Sequence, residues 1–430
     1  MARTLCSMLS SVYTADRQVT VEGWVHRRRR LANVTFVVVR DRSGTAQIVV
    51  TDSSARERVL ALSEETAVRV SGTVVENDHA PGGFEIVDPV FVALSAVAQP
   101  LPVELWRPTV KATLPTLLDH APLTWRHPTR KAVWAIAAAS MAGFRRHLDS
   151  AGFTEVATPK IVDSSTESGA NMFALNYFGS TAYLAQSPQL YKQVLTGVFE
   201  RVYEVGPVFR AEPHDTTRHL SEYVSLDVEL GFIEDHRDVL AVLRSTLAAM
   251  IDSIVRTAGP ELDLLNTELP IVPDQIPIVH FSDALKLVGA DPAEPDLAPE
   301  HERALGVWAK ERFGSEFLAV EGYPAAKRPF YTHPQPSDNR WTNSFDLLFR
   351  GLELVTGGQR LHNQVDYLDA MVARGEDPVR YGAYLEAMGH GMPPHGGFAI
   401  GLERWVARLL MLENIRATAL FPRDINRLRP

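Results

Sequence analysis

A single cysteine, Cys6, in 430 residues rules out an intramolecular disulfide framework and any multi-cysteine zinc site. A reducing cytoplasm is the expected home. Long apolar runs are also missing. The longest, Ala132–Phe144, is broken by serine and too short to cross a bilayer, and the first residues have no signal-peptide core, so no membrane association is expected. Neither a glycine-rich loop ending in lysine nor a dinucleotide fingerprint occurs, so a bound nucleotide must be held by other means. Internal repeats and low-complexity segments are absent. The net charge of −9 argues against a chain coated in nucleic-acid-binding charge, but it leaves room for a local patch, and Arg27, Arg28, Arg29 and Arg30 form one.

With 45% hydrophobic and 22% charged residues, the chain can bury two or three cores. Short β-rich runs, Val19–Val25, Val34–Arg40, Ala46–Val50 and Ala67–Val75, are separated by Asp41–Gly44 and Asn77–Gly83 and predict a small barrel such as an OB-fold within residues 1–100. Pro100, Pro102 and Pro108 mark a hinge over 101–125. A helix follows, with Val133, Ile136, Ala137, Met141, Phe144 and Leu148 on one face and Gly152 as its cap. Residues 126–430 then alternate strands and loops and predict a large domain built on a mainly antiparallel sheet. Within it, 235–335 reads as variable helix and loop with little chemical signal.

Two segments carry most of the chemistry. Arg201–Glu212 (RVYEVGPVFRAE) and Tyr223–Ile233 (YVSLDVELGFI) flank a polar loop and predict a hairpin. In its second strand Val224, Leu226, Val228, Leu230 and Phe232 share one face, and Ser225, Asp227 and Glu229 share the other, which is read as a wet cleft. That alternation alone also fits an ordinary half-exposed sheet. Arg210, Glu212, Arg218 and His219 cluster beside it, and guanidinium forks match phosphate oxygens. The second segment, Gly396–Gly401, is a glycine-bounded strand feeding an apolar stripe of Leu402, Trp405, Val406, Leu409 and Leu410. Arg404 lies off that stripe, facing either a ligand or solvent. Glu353 follows Gly351 in the strand-like Phe345–Thr356, where the alternation changes phase.

These two segments and Gly152–Val162 (GFTEVATPKIV) resemble motifs two, three and one of the class II aminoacyl-tRNA synthetases. Gln186–Lys192 (QSPQLYK), Phe209–Glu212 (FRAE), Arg218–Glu222 (RHLSE), Gly357–Arg360 (GGQR) and Phe421–Asp424 (FPRD) resemble the aspartyl members of the compact archaeal type. The resemblance covers essentially the whole chain. It implies an α+β architecture, with an N-terminal OB-fold β-barrel and a catalytic domain whose antiparallel β-sheet is flanked by helices. It also implies a homodimer formed through the helix and strand around Pro159. ATP, L-aspartate and tRNA would be substrates and Mg²⁺ the cofactor.

Residue by residue, the resemblance makes Arg210 and Arg404 catalytic. ATP would be held by Arg210, Glu212, Arg218, His219, Leu220, Glu353, Gly401 and Arg404, and Mg²⁺ by Glu353 and Thr356. The aspartate pocket would be Glu167, Gln189, Lys192, Arg210, Asp227, Thr356 and Arg360. Asparagine would leave Lys192 and Arg360 short of an anion, the kind of mismatch that gives about 10⁴–10⁵-fold discrimination. Ser168, Thr356, Val355, Asn363 and Ala399 depart from the commoner pattern. Aspartyl-adenylate would form first and then pass to the terminal adenosine of tRNA.

In the barrel, Phe36 would stack an anticodon base while Gln47 and Arg28 read base edges. His26, after Gly23-Trp24-Val25, and Pro81, before Gly82-Gly83, resemble residues of family members that accept both tRNA(Asp) and tRNA(Asn). Relaxed specificity implies an amidotransferase partner that converts the misacylated tRNA. A discriminating enzyme, an adenylate-forming paralogue and a non-catalytic RNA-binding relative are the alternatives.

Overall fold

The computed structural model describes residues 2–13, 17–163 and 171–429. The chain divides into two compact units, Met1–Thr113 and Leu114–Pro430. Among the described residues no helix is long and apolar enough to cross a membrane.

The first unit is a closed barrel of five strands, β1 (Gln18–Arg30), β2 (Thr35–Arg40), β3 (Thr45–Val50), β4 (Ala67–Glu76) and β5 (Phe84–Ser95), in the order β1-β2-β3-β5-β4. Val19, Val21, Val25, Val37, Val39, Ile48, Val68, Val70, Val74 and Ile86 alternate inward and fill it. A short helix, Ser53–Leu60, capped by the Asp52 side chain, joins β3 to β4. Cys6 packs in this core, and burial together with Asp41 pushes its thiol up to about 12, which makes it unreactive at neutral pH.

β1 runs five residues beyond the predicted Val25. A bulge between Val25 and Arg27 resets the register, so Arg27 to Arg30 continue to pair with β2. The long β5 was hidden in the sequence because Val90, Val92 and Leu94 are exposed while apolar, which erases the inward and outward contrast.

The second unit is organised by an eight-stranded sheet. Its strands are β6 (Thr154–Glu155), β7 (Arg201–Phe209), β8 (Glu222–Gly231), β9 (Ile278–His280), β10 (Phe317–Glu321), β11 (Ser344–Phe349), β12 (Glu353–Gln359) and β13 (His395–Gly401). The order is β9-β10-β11-β12-β13-β8-β7-β6. The sheet is antiparallel throughout except at its edges, where β9 pairs with β10 and β7 with β6 in parallel.

Four helices matter for the site: α1 (Pro128–Ser150), α2 (Gln189–Phe199), α3 (His236–Thr257) and α4 (Pro299–Phe313). A fifth, α5 (Leu402–Leu409), follows β13 directly. α1, α3 and α5 cover one face of the sheet. Ile136, Phe144, Leu148, Leu243, Leu247, Leu226, Val228, Phe398, Trp405 and Val406 form its core, and Trp405 donates its indole N–H to Ser140 Oγ at 3.0 Å. α1 begins with Pro128 at its first turn, and Gly152 (φ 79°) reverses the chain just past its end, as the sequence indicated.

Three expectations need correction. Phe345–Thr356 is not one strand but a hairpin, β11 and β12, turned by Arg350 (φ 51°) and Gly351 (φ 69°), with reciprocal hydrogen bonds between Phe349 and Leu352. Phe232 does not join the core face. It adopts φ 58°, is 71% exposed, and leaves the core position to Ile233. Finally, the segment 235–335 is more than variable helix and loop, since besides α4 it supplies the strands β9 and β10.

Candidate active site

The open face of the sheet carries a row of residues in register, Asp346, Thr356, Ala399, Asp227 and Glu204, and beside it a second row of Ser344, Gly358, Gly397 and Glu229. The small residues in the middle leave a trough between charged ends. Gly397 is required there because a Cβ would lie 2.1 Å from Glu229 Oε2. Above the trough is a cleft of about 350 Å³. It is lined by Gln189, Lys192, Arg210, Glu212, Arg218, His219, Leu220, Glu353, Thr356, Arg360, Gly401 and Arg404, so residues spread over more than two hundred positions of sequence meet in one place. Asp227 lies just beneath, 1% exposed. Glu167 and Ser168 fall outside the described residues.

At one end of the cleft the trough is not wet, as the alternation of β8 suggested, but holds a buried charge quartet. Lys192, from α2, places Nζ 3.1 Å from Asp227 Oδ1 and 3.3 Å from Glu229 Oε2 and also donates to the Val228 and Phe398 carbonyls. Arg360 donates from Nε to Glu229 Oε1 at 3.0 Å and from Nη2 to Gly397 O at 3.1 Å. Burial alone would raise the Glu229 carboxyl, but Arg360 and Lys192 outweigh it and hold it below the ordinary range. The two cations therefore already face two carboxylates. This corrects the expectation that asparagine would simply leave them without an anion.

Glu229 was visible on the polar face of β8 but was assigned no role. Gln189, on the same side of the cleft, has a buried Nε2 with no hydrogen-bond partner.

The other end is a cationic rim. Arg210 follows β7, its backbone N–H donating to Ser221 O, and Nη1 is 4.0 Å from Glu212 Oε1. Glu212 in turn lies 3.8 Å from His219, whose pKa burial pushes below the ordinary histidine range against the pull of Glu212. Arg404, in the first turn of α5, donates to the Glu353 carbonyl at 3.1 Å and sits 3.8 Å from its carboxylate. Glu353 receives Thr356 Oγ1 at 3.3 Å, and its N–H donates to Glu302 Oε2 at 2.8 Å. About two fifths of its side chain faces the cleft, yet the surroundings desolvate it, and together with the charge of Asp346 they push the carboxyl up to about 7 against the opposing pull of Arg404.

Three residues here were missed from sequence. Asp346 is buried and pairs with Arg328 at 2.8 Å, while its Oδ1 lacks a hydrogen bond of good geometry. Arg328 comes from the segment read as variable. Glu302 comes from α4 and carries no local pattern.

Glu403, next to Arg404, is buried at the wall of the cleft, and both its oxygens accept the Val224 N–H. Burial pushes it up to about 7. The fold therefore favours its protonated form. That contribution is complete below the ordinary value of 4.5 and is lost as pH rises through about 7. Glu403→Gln is expected to remove a decline in stability on the order of 3 kcal/mol across that window, read as the difference between urea melts of variant and parent. Parallel pH profiles would show that the Val224 N–H sustains the ionised form.

Within the barrel unit, Phe36 is half-buried on the outer face, outside the barrel core, and Gln47 lies on the same face. Gln47 Nε2 donates to Glu85 Oε2 at 2.9 Å, and the same oxygen accepts Asn77 Nδ2 at the head of the loop that carries Pro81. Arg28 is placed differently from the expectation. It pairs with core-facing Val37 and donates to Leu60 O, while Arg27 and Arg29 stand opposite Val38 and Phe36 on the outer face. His26 sits in the β1 bulge with Nδ1 2.8 Å from Arg40 Nη1. Pro81 is exposed.

Comparison with known proteins agrees with this geometry. Residues 114–425 match the family described as tRNA synthetases class II (D, K and N), and residues 19–92 match the OB-fold nucleic acid binding domain. An aspartate–tRNA(Asp/Asn) ligase of Thermus thermophilus is 46% identical, covering 96% of this chain and 97% of that one. An aspartate–tRNA(Asp) ligase of Thermoplasma acidophilum is 37% identical over 96% of each. The crystal structure of an asparaginyl-tRNA synthetase from Pyrococcus horikoshii, complexed with asparaginyl-adenylate, superposes with a TM-score of 0.92 at 31% identity over the full length of both. With its barrel, its sheet and its cleft all accounted for, the chain belongs to the class II tRNA synthetases of the D, K and N group.

Proposed function

We propose that the chain attaches L-aspartate to tRNA(Asp), and also to tRNA(Asn), by way of aspartyl-adenylate. The observation that carries this reading is a cleft that has Lys192 and Arg360 at one end and Arg210, Arg218 and Arg404 at the other. The first end suits a side-chain carboxylate competing with Glu229 for its cations, with Asp227 near the ammonium. The second suits a polyphosphate. In the first step an aspartate α-carboxylate oxygen bonds to the ATP α-phosphorus. The bond from that phosphorus to the bridging oxygen breaks, and the electron pair leaves on pyrophosphate. Arg210 and Arg404 neutralise charge developing on the phosphates. The 3′-hydroxyl of tRNA then displaces AMP from the aspartyl carbonyl carbon.

Mg²⁺ fits the rim. Among the described residues no cluster of three or more metal-ligating side chains exists, so the protein would offer Glu353, Asp346 and the Thr356 hydroxyl while phosphate and water oxygens complete the shell. The incompletely bonded Asp346 Oδ1 and the charge crowding at Glu353 are what such a cation would relieve. When bound, Mg²⁺ would supply charge neutralisation on the polyphosphate.

Acceptance of tRNA(Asn) rests on His26 and Pro81 and is supported by relatives named for both tRNAs. A homodimer, a cytoplasmic setting and a partner amidotransferase follow from the same reading. Charging of tRNA(Asp) and tRNA(Asn) transcripts with labelled aspartate should proceed at comparable rates. Pro81→Lys should lose about tenfold or more with tRNA(Asn), consistent with one base contact, and little with tRNA(Asp). Charging of tRNA(Asp) alone would keep the chemistry and overturn the relaxed specificity.

A further inference from the structure

A second cleft, of about 1130 Å³, opens behind the cationic rim, and Arg218 and Arg404 line both. The wall between them is α4 and the β11–β12 turn. α4 lies close against Gly351, where a Cβ would be 3.0 Å from Arg303 Cα. Consecutive residues of α4 face opposite ways, since Glu302 is buried and holds the Glu353 N–H while Arg303 is exposed and lines the second cleft.

Beyond Arg303 stand Lys310, Arg350 and Arg408. Glu316 answers Arg350 at 3.0 Å and Lys310 at 4.0 Å, but among the described residues Arg303 has no ion pair and the buried Nε of Arg408 has no hydrogen-bond partner. Six cations line this cleft against the four carboxylates of Glu268, Glu311, Glu316 and Glu413. The excess is positive, and it begins where the outer phosphates of a nucleotide on Arg218 and Arg404 would end.

We propose that this second cleft receives the pyrophosphate released by adenylate formation, with Arg303 as its first new cation. The inference rests on the function proposed above. Its chemistry is that of a compact polyanion handed from shared guanidinium groups to a further set. An exit lined by cations lowers the cost of separating a highly charged product from the rim without requiring the rim itself to weaken.

The test is aspartate-dependent exchange of labelled pyrophosphate into ATP with Arg303→Glu, an exposed position whose change should leave the melting temperature unaltered. The half-saturating pyrophosphate concentration should rise about tenfold, in keeping with loss of a charge-assisted contact, while the KM values for ATP and aspartate stay put. Arg303→Lys should recover most of the loss. An unchanged pyrophosphate dependence would overturn the proposal, and so would a parallel rise in the ATP KM, which would assign Arg303 to the nucleotide site. Failure of the parent protein to catalyse any exchange would instead sink the functional reading on which the proposal stands.

Discussion

Arg360→Leu is expected to cut aspartate-dependent pyrophosphate exchange by about 10⁴-fold, because the proposed aspartate pocket would lose a buried partner for the substrate carboxylate. The same change should destabilise the catalytic unit by about 3–5 kcal/mol, since it strands the Glu229 carboxylate in an environment that water does not reach. The two effects can be separated. Adding Glu229→Gln to Arg360→Leu removes the stranded charge, so urea melts should return most of the lost stability while exchange stays absent. A double variant no more stable than the single one would mean that Lys192 alone balances Glu229, whose Oε2 it approaches at 3.3 Å. Near-normal exchange in Arg360→Leu would remove Arg360 from the aspartate site altogether.

Arg210→Gln should behave in the opposite manner, leaving the fold intact and lowering the rate of adenylate formation by about 10²–10³-fold, the range for one preorganised charge donor. The side chain is about one third exposed to the cleft, and its Nη1 lies 4.0 Å from Glu212 Oε1, the outer limit of an ion pair. A contact so long and so exposed adds little to the stability of the fold. Single-turnover adenylate formation, monitored by quenched flow at saturating ATP and aspartate, reads the effect on the chemical step. Arg210→Lys should restore only part of it, because a point charge cannot present two parallel donors. If Arg210→Gln raised the KM for ATP and left the rate constant alone, Arg210 would bind the ground state and the transition state equally.

Much of the architecture was legible because its signals are local. The hairpin of β7 and β8 announces itself through two alternating runs and a polar loop, and the Gly396–Leu410 segment through glycines that hand over to a helical stripe. Where both faces of a strand are buried the signal disappears. Phe317–Glu321 and Ser344–Phe349 are buried at every position, so period-two contrast could not separate β11 from β12, and an arginine in the left-handed region is not a residue that advertises a turn. The site was legible to the same degree. Arg210, Arg218 and Arg404 lie within recognisable segments. Asp346 with Arg328, and Glu302 with the Glu353 N–H, are partnerships formed only when distant segments meet. Arg28 illustrates the limit from the other side, because a single bulge at His26 decided which arginines of a continuous run look outward.

The quartet of Lys192, Asp227, Glu229 and Arg360 has a consequence for how this protein can change over generations. Gly397 leaves no room beside Glu229 for even one more carbon, and each buried charge is answered by another. Any lone substitution that alters the sign or bulk of one member passes through a poorly folded intermediate. Routes to a different amino acid must therefore take two or more steps together, or in an order that first makes a neighbour tolerant. The neighbourhood should evolve as a block, its members exchanging in concert. A library that randomises these positions one at a time would find almost nothing, whereas one that varies them as pairs samples the only accessible paths.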